Sequence, residues 1–162
     1  YIGVDCSKFA LNIAVLDEDS DLHMLEMLST KEKKDIERMF ELKRQFEDWL
    51  LAFSIKKDIN IDDAIVTVEG PIMLQNVKTS FDIARSVNGV EMACCELDGK
   101  CFEVQNTTWK KSILGNGKST KADIMKFAET KWGKKLFIEQ DHADAACLAL
   151  HNYILLVNKK YI

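Results

Sequence analysis

A single proline, Pro71, and seven glycines in 162 residues leave little material for linkers or low-complexity tails. No apolar run approaches the roughly 20 residues that a bilayer-spanning helix needs, and no segment has the form of a secretory signal, so no membrane partner is expected. Cysteine occurs at positions 6, 94, 95, 101 and 147, an odd count without a C-x-x-C pair. Neither a disulfide framework nor a structural zinc site has that spacing. Most of these cysteines stand among apolar neighbours and read as reduced thiols packed as small hydrophobes in a cytoplasmic protein. What the chain does have is 47% hydrophobic content. That suffices for one sizeable core, and residues 1–162 read as one globular domain. The chain opens on Tyr1 rather than methionine, which leaves its native start open.

The formal net charge of −4 speaks mildly against a nucleic-acid binder, but it averages over an uneven chain. Between Lys100 and Lys135 nine lysines face three acids, Glu103, Asp123 and Glu129, a local balance of +6. The stretch Asp17 to Asp21 is strongly acidic. One basic face on an acidic body suits a protein that holds phosphates near a cluster of carboxylates. Scattered, solvated lysines are the plain alternative.

"YIGVD" and "ALNIAVLD" read as two strands joined by the turn "CSKF", with alternation in Leu11, Ile13 and Val15. "LHMLEML" completes an antiparallel meander. Ser29 with Glu32 matches a capping box, and the stripe Ile36, Met39, Phe40, Phe46, Trp49, Leu50 and Phe53 predicts a long amphipathic helix to about Lys57. "AIVTVEG" is a buried strand that ends at Glu69 before Gly70-Pro71. "IMLQNVKTSFDIARSVNG" is expected to be a helix closed by Gly89, and "VEMACCEL" a further buried strand. The remainder reads as helical apart from the loop "LGNGKST" and a turn near Gly133. Helical crossovers imply parallel pairing, so the expected architecture is a mixed α/β three-layer domain.

Within that frame, Asp5 and Glu69 stand at the carboxyl ends of strands, where ligands gather in open α/β sheets. Near the C-terminus, "DHADAACLAL" places Asp141 and Asp144 one helical turn apart at the mouth of a small, apolar helix. Buried carboxylates are costly unless compensated. Oxygen ligands without a His/Cys cage suit Mg²⁺, with Mn²⁺ as a substitute. Two such ions about 4 Å apart are the recurring device of phosphodiester hydrolysis. For any one acid a helix cap is the alternative, most of all for Asp141. His142, set about 100° round the helix from Asp141, is open to a solvent-facing or a ligand role. His23 and His151 show no partner in the sequence and read as ordinary.

The loop Gly115-Asn116-Gly117 followed by Lys118, Ser119, Thr120 and Lys121 has the character of a phosphate-binding turn without being a Walker A sequence. Glycines let the backbone approach a phosphate, and the lysines fall at a helix start. Lys110 and Lys111 precede it on a short helix with Trp109. A helix–helix connection capped by Ser119 is the alternative.

Strand-end Asp5, strand-end Glu69, then "LGNGKSTKADI" and "DHADAACLAL" in this order resemble the RuvC-type Holliday junction resolvases of the RNase H-like nuclease superfamily. The resemblance covers essentially the whole chain and is densest from Ile65 to Leu150. It implies an RNase H-like fold with a mixed five-stranded sheet. It also implies a homodimer acting on four-way branched DNA and Mg²⁺-dependent symmetric nicking. Asp5, Glu69, Asp141 and Asp144 match the family's metal-ligand positions, and Lys110 and Lys121 match basic positions beside the scissile phosphate. The helix beginning near Pro71 matches the dimer element, with Met73, Val77, Phe81 and Ala84 on one face. Departures are local: Cys6-Ser7-Lys8 stands where bacterial members have Pro-Gly-Ser, and Ile72 where an aromatic engages bases. They fit a divergent, phage-encoded member working in a host cytoplasm. Another RNase H-like nuclease acting on branched DNA or RNA–DNA hybrids is the neighbouring reading. A junction-binding module without catalysis is the reading from another class.

Overall fold

In the computed structural model, residues 1–71, 75–133, 136, 137 and 139–159 are described, with side chains to residue 157. The first three strands, β1 (Ile2–Cys6), β2 (Ala10–Leu16) and β3 (Leu22–Ser29), form the expected antiparallel meander. Beyond β3 the chain crosses over through α1 (Asp35–Lys57) to β4 (Ile65–Glu69), which pairs parallel with β1. A second crossover, α2 (Val77–Glu96), leads to β5 (Lys100–Val104), parallel to β4. The sheet runs β3-β2-β1-β4-β5, five strands of mixed direction. Three helices follow: α3 (Asn106–Leu114), α4 (Lys121–Trp132) and α5 (Gln140–Lys159).

Alternation along β1 and β4 decides what each face of the sheet carries. Ile2, Val4 and Cys6 join Val66 and Val68 in one buried cluster against Phe46, Leu50, Val87 and Val90 of α1 and α2. The intervening residues turn toward α5. At Gly3 the helix backbone is so close that a Cβ would stand 1.8 Å from the Ala145 carbonyl oxygen. Only glycine permits that approach. α5 meets it with Ala143, Ala145, Ala146 and Ala149, all fully buried. Deeper in the same contact, Asn152 donates to the Thr67 hydroxyl at 2.8 Å.

Four local expectations are corrected. "VEMACCEL" is not a strand: α2 continues through it to Glu96. Gly89 does not stop the helix, because it lies buried where α2 packs on Met39 and Lys43 of α1. The fifth strand lies further on, at Lys100–Val104, and most of its residues are exposed or half-exposed. The Ser29/Glu32 capping box does not form. Ser29 ends β3, the N-cap of α1 is Lys34, and Glu32 accepts from the Lys33 and Lys34 backbone N–H groups. Finally, the stripe on α1 is only partly core: Leu42, Phe46, Leu50 and Phe53 are buried, whereas Ile36 and Phe40 are 60% and 51% exposed. Ile72–Leu74, the expected start of the second crossover helix, lies outside the described residues.

All five cysteines are free; Cys6, Cys94 and Cys147 are buried, Cys101 is half-buried, and Cys95, expected in the core, is exposed. No helix among the described residues is long and apolar enough to cross a membrane.

Candidate active site

Asp5 sits two residues beyond Gly3 in β1, on the same face, so it points to the side from which α5 approaches. Asp141 is in the first turn of α5 and Asp144 one turn later. The helix already begins at Gln140, so Asp141 lies inside it and is not its cap. One carboxylate oxygen from each of Asp5, Asp141 and Asp144 lies within 4.8 Å of the others. The tight Gly3–Ala145 contact is what brings them together: a bulkier residue in either place would hold α5 away from β1.

Glu69 ends the neighbouring strand. Gly3 pairs with Thr67 and Val4 with Val68, so the register carried one residue on sets Asp5 beside Glu69. Its carboxylate is held from the far side: Trp109 Nε1 donates to Oε1 at 2.7 Å, and Asn106 Nδ2 donates to the same oxygen. Trp109 is 1% exposed, so its indole is a fixed donor. On the other flank Asn12 pairs across the strands with Asp5. Asn12 is buried, and its Oδ1 has no hydrogen-bond partner among the described residues.

Charge is concentrated here. Burial, with the negative charges of Asp144, Asp141 and Glu69, pushes the Asp5 carboxyl well above the usual carboxylate range, and Lys121 partly offsets this. Asp144 is pushed up to about 6, mainly by burial, against the Gln140 side-chain hydrogen bond and the charges of Lys121 and Lys110. Added positive charge at this point would favour the ionised forms of Asp5 and Asp144. The donor set fits a divalent cation: three convergent carboxylates, a fourth alongside, and a buried amide oxygen without a partner. Asp5, Asp141 and Asp144 are the residues that could hold it, all through oxygen, as Mg²⁺ prefers.

The basic residues divide into two groups. Lys110 and Lys121 stand close enough to act on Asp144, and Lys121 also on Asp5. Lys110 lies over the Trp109 ring, 5.5 Å from its centroid, and Lys121 opens α4. Lys111, Gly115, Asn116, Gly117 and Lys118 instead line a cleft beside α5. The loop is ordered by its own bonds. Gly115 adopts φ 76°, Asn116 Oδ1 accepts from the Lys118 N–H at 3.0 Å, and the Ser119 hydroxyl donates to the Asn116 carbonyl at 2.7 Å. The cap of α4 is Thr120, in a capping box with Asp123, and not Ser119. His142 Nε2 is buried without a hydrogen-bond partner among the described residues, and His23 bonds Asp17.

Sequence reasoning missed the residues that position the acids. Gly3, Asn12, Asn106 and Trp109 act through contacts between elements distant in the chain, and no local spacing marks them. Trp109 beside Lys110-Lys111 was the one visible hint.

No family model and no curated protein matches the chain. Solved structures do. The Thermus thermophilus RuvC structure superposes with a TM-score of 0.74 at 16% identity, over 97% of this chain and 95% of its own. T. thermophilus RuvC in complex with a Holliday junction substrate gives 0.75 at 16% identity, over 97% and 94%. The yeast mitochondrial Holliday junction resolvase Ydc2 gives 0.66 at 14% identity, over 99% and 80%. With its five-stranded mixed sheet in the order β3-β2-β1-β4-β5 and helices on both faces, the chain has the RuvC-type resolvase fold.

Proposed function

We propose that residues 1–162 form one nuclease domain that resolves four-way DNA junctions by paired, symmetric nicks. The observation that carries this reading is the convergence of Asp5, Asp141 and Asp144 at the carboxyl end of β1, with two lysines acting on them, in a RuvC-type fold. In this reading Asp5, Glu69, Asp141 and Asp144 hold Mg²⁺, or Mn²⁺ in its place. Such ions supply Lewis-acid stabilisation and lower the pKa of a bound water. Asn106 and Trp109 orient Glu69, and the Gly3 contact fixes α5, so the carboxylates are set before DNA arrives. Lys121 stabilises negative charge developing at the scissile phosphate, and Lys110 holds the backbone beside it. Lys111 and Lys118, with the Gly115-Asn116-Gly117 turn, bind phosphates further along the strand.

Symmetric nicking needs two such sites, hence a homodimer. Val77 and Phe81 of α2 are 53% and 61% exposed on one helix face, close to the pattern an isologous contact requires. Met73, assigned to the same face, lies outside the described residues. The five free thiols fit a reducing cytoplasm, that of the host for a phage-encoded chain.

The test is a synthetic four-way junction with and without Mg²⁺, run beside nicked duplex and an RNA–DNA hybrid. Mg²⁺-dependent paired nicks in the junction alone are expected. Preference for the hybrid would favour another RNase H-like activity, and tight binding without nicking would favour a non-catalytic module. Sedimentation at micromolar concentration is expected to show a dimer.

A further inference from the structure

A cleft of about 840 Å³ lies against α3 and α5, next to the acid cluster but distinct from it. Thr107, Thr108 and Ser112 of α3 line it, with Asn116 of the loop and His151 and Leu155 of α5. The side chains of Lys111 and Lys118 reach it too. Both helices also serve the acids. Asn106 and Trp109 of α3 hold Glu69, and Asp144 precedes His151 by seven residues on α5. Two helical turns separate that pair, so they share a side of α5 about 10.5 Å apart along its axis. The cleft therefore flanks the reaction site along a direction a bound strand could follow.

A phosphate alone would leave most of this volume empty, while roughly 300–1,000 Å³ is the size of cavities that take whole small molecules. The cleft opens to solvent, and a single unstacked nucleotide, with base and phosphate together, is of a size that it can hold. The lining matches such a nucleotide part by part. Lys111 and Lys118 offer charge to its phosphates. Leu155 and the threonine methyls offer apolar surface to its base. Asn116, Ser112 and His151 offer polar edges. His151 is only 4% exposed, and its Nδ1 is buried with no hydrogen-bond partner among the described residues. Burial lowers its pKa, which keeps the ring neutral with one donor and one acceptor nitrogen. The loop wall is fixed as well: a Cβ on Gly117 would stand 2.8 Å from the Thr107 carbonyl oxygen, so the turn is packed on α3.

We infer that the cleft receives one unstacked nucleotide of the bound DNA, its phosphate on Lys111 and Lys118 and its base against His151. A strand advances about 3.4 Å per nucleotide where it is stacked and further where it is not, so the separation along α5 places the nucleotide within about three steps of the scissile phosphate. The inference rests on the junction-resolving reading above.

Junctions carrying a single 2-aminopurine, moved one position at a time through the strands around the nick, test it with Ca²⁺ replacing Mg²⁺ during binding. Fluorescence is expected to rise severalfold at one position per nicked strand, within three steps of the nick. Ser112→Phe fills the cleft from an exposed position and should abolish that rise, and Thr108→Phe should do the same; thermal melting establishes that both variants are folded. The inference is overturned if wild-type protein nicks the junction and no position brightens. It is overturned equally if the rise survives both fillings. A wild-type protein that neither binds nor nicks junctions would instead remove the functional reading, and this one with it.

Discussion

The two faces of the sheet are built to different rules. Against α1 and α2 the strands present Ile2, Val4, Leu11, Ile13, Val66 and Val68, met by Phe46, Leu50 and Val90. Large side chains keep the helices at arm's length, and each buried side chain contributes roughly 1.5–3 kcal/mol. Against α5 the same strands present Gly3, Asp5, Asn12, Ala14 and Thr67, met by alanines. Here the backbones almost touch, little area is gained per residue, and acids take the places aliphatics would fill. One face supplies stability; the other uses it to hold like charges together. Changes of the same chemical size should therefore have opposite signatures on the two faces.

The largest effect is expected from the acids. Asp5→Asn removes a proposed metal ligand, and single-turnover nicking of a junction should fall by at least ~10³-fold, about 4 kcal/mol of barrier. Junction binding in EDTA should stay near wild type. Metal-free protein should melt no lower, because the change relieves repulsion from three neighbouring carboxylates. Glu69→Gln should behave alike in cleavage. Mg²⁺-dependent nicking retained by both variants would remove the metal-site assignment.

Next comes a matched pair, one per face. Phe46→Ala opens a cavity in the α1/α2 cluster and should cost about 3–5 kcal/mol of stability by denaturant unfolding. Below its lowered melting point it should still nick at close to the wild-type rate. Gly3→Ala adds one methyl, a change that ordinarily costs about 1–3 kcal/mol in a filled core. Its added Cβ would meet the Ala145 carbonyl, however, and α5 must retreat with Asp141 and Asp144 aboard. Nicking should therefore fall far more than stability does. If Gly3→Ala lost stability and activity in the proportion seen for Phe46→Ala, the contrast between the faces would be wrong.

How much of this was legible depended on whether a residue's signal lay in its own neighbourhood. Leu11, Ile13 and Val15 alternate, and the β-branched run Ile65–Val68 is short and bounded, so four strands could be read from the sequence. Asp5 and Glu69 were found because strand ends are where ligands collect. The fifth strand was misplaced because "VEMACCEL" is apolar enough for either structure, while "KCFEV" is an edge strand with one buried residue and almost no pattern. Contact with α1 keeps Gly89 helical, which no local rule anticipates. Ile36 and Phe40 fit the helical period but stand on the open side of α1. The grip of Asn106 and Trp109 on Glu69 spans 37 and 40 residues. Such contacts exist only after folding.

A smaller effect comes from protonation on the α5 face. Burial and neighbouring charge raise the folded-state carboxyls of Asp5 and Asp144, the latter to about 6, above an unfolded value near 3.9. A raised carboxyl stabilises the fold fully below the unfolded value and loses that contribution as pH rises through the folded one. Metal-free protein should thus lose melting temperature between about pH 4 and 7. Mg²⁺ should reduce the loss, and Asp144→Asn should flatten it; a wild-type profile unchanged by that substitution would contradict the assignment.

The smallest and most discriminating difference lies between two lysines three residues apart. Lys121 begins α4, and its charge acts on both Asp5 and Asp144. Lys118 stands on the loop and lines the cleft along α5. A lysine that only contacts a phosphate contributes to binding, and removing it should lower the salt slope by about one. A lysine beside the reacting group contributes chiefly where charge develops, so its loss should appear in the cleavage step at saturating enzyme. Lys118→Ala should raise the dissociation constant and leave the saturated rate nearly unchanged. Lys121→Ala should slow that rate by roughly 10²-fold, the lower end for removal of one group stabilising transition-state charge, with a modest loss of binding. Salt titration of junction binding and single-turnover nicking separate the two. If both variants lose affinity alike and keep the wild-type saturated rate, Lys121 only positions DNA, and the acids on the α5 face work without a cation from the protein.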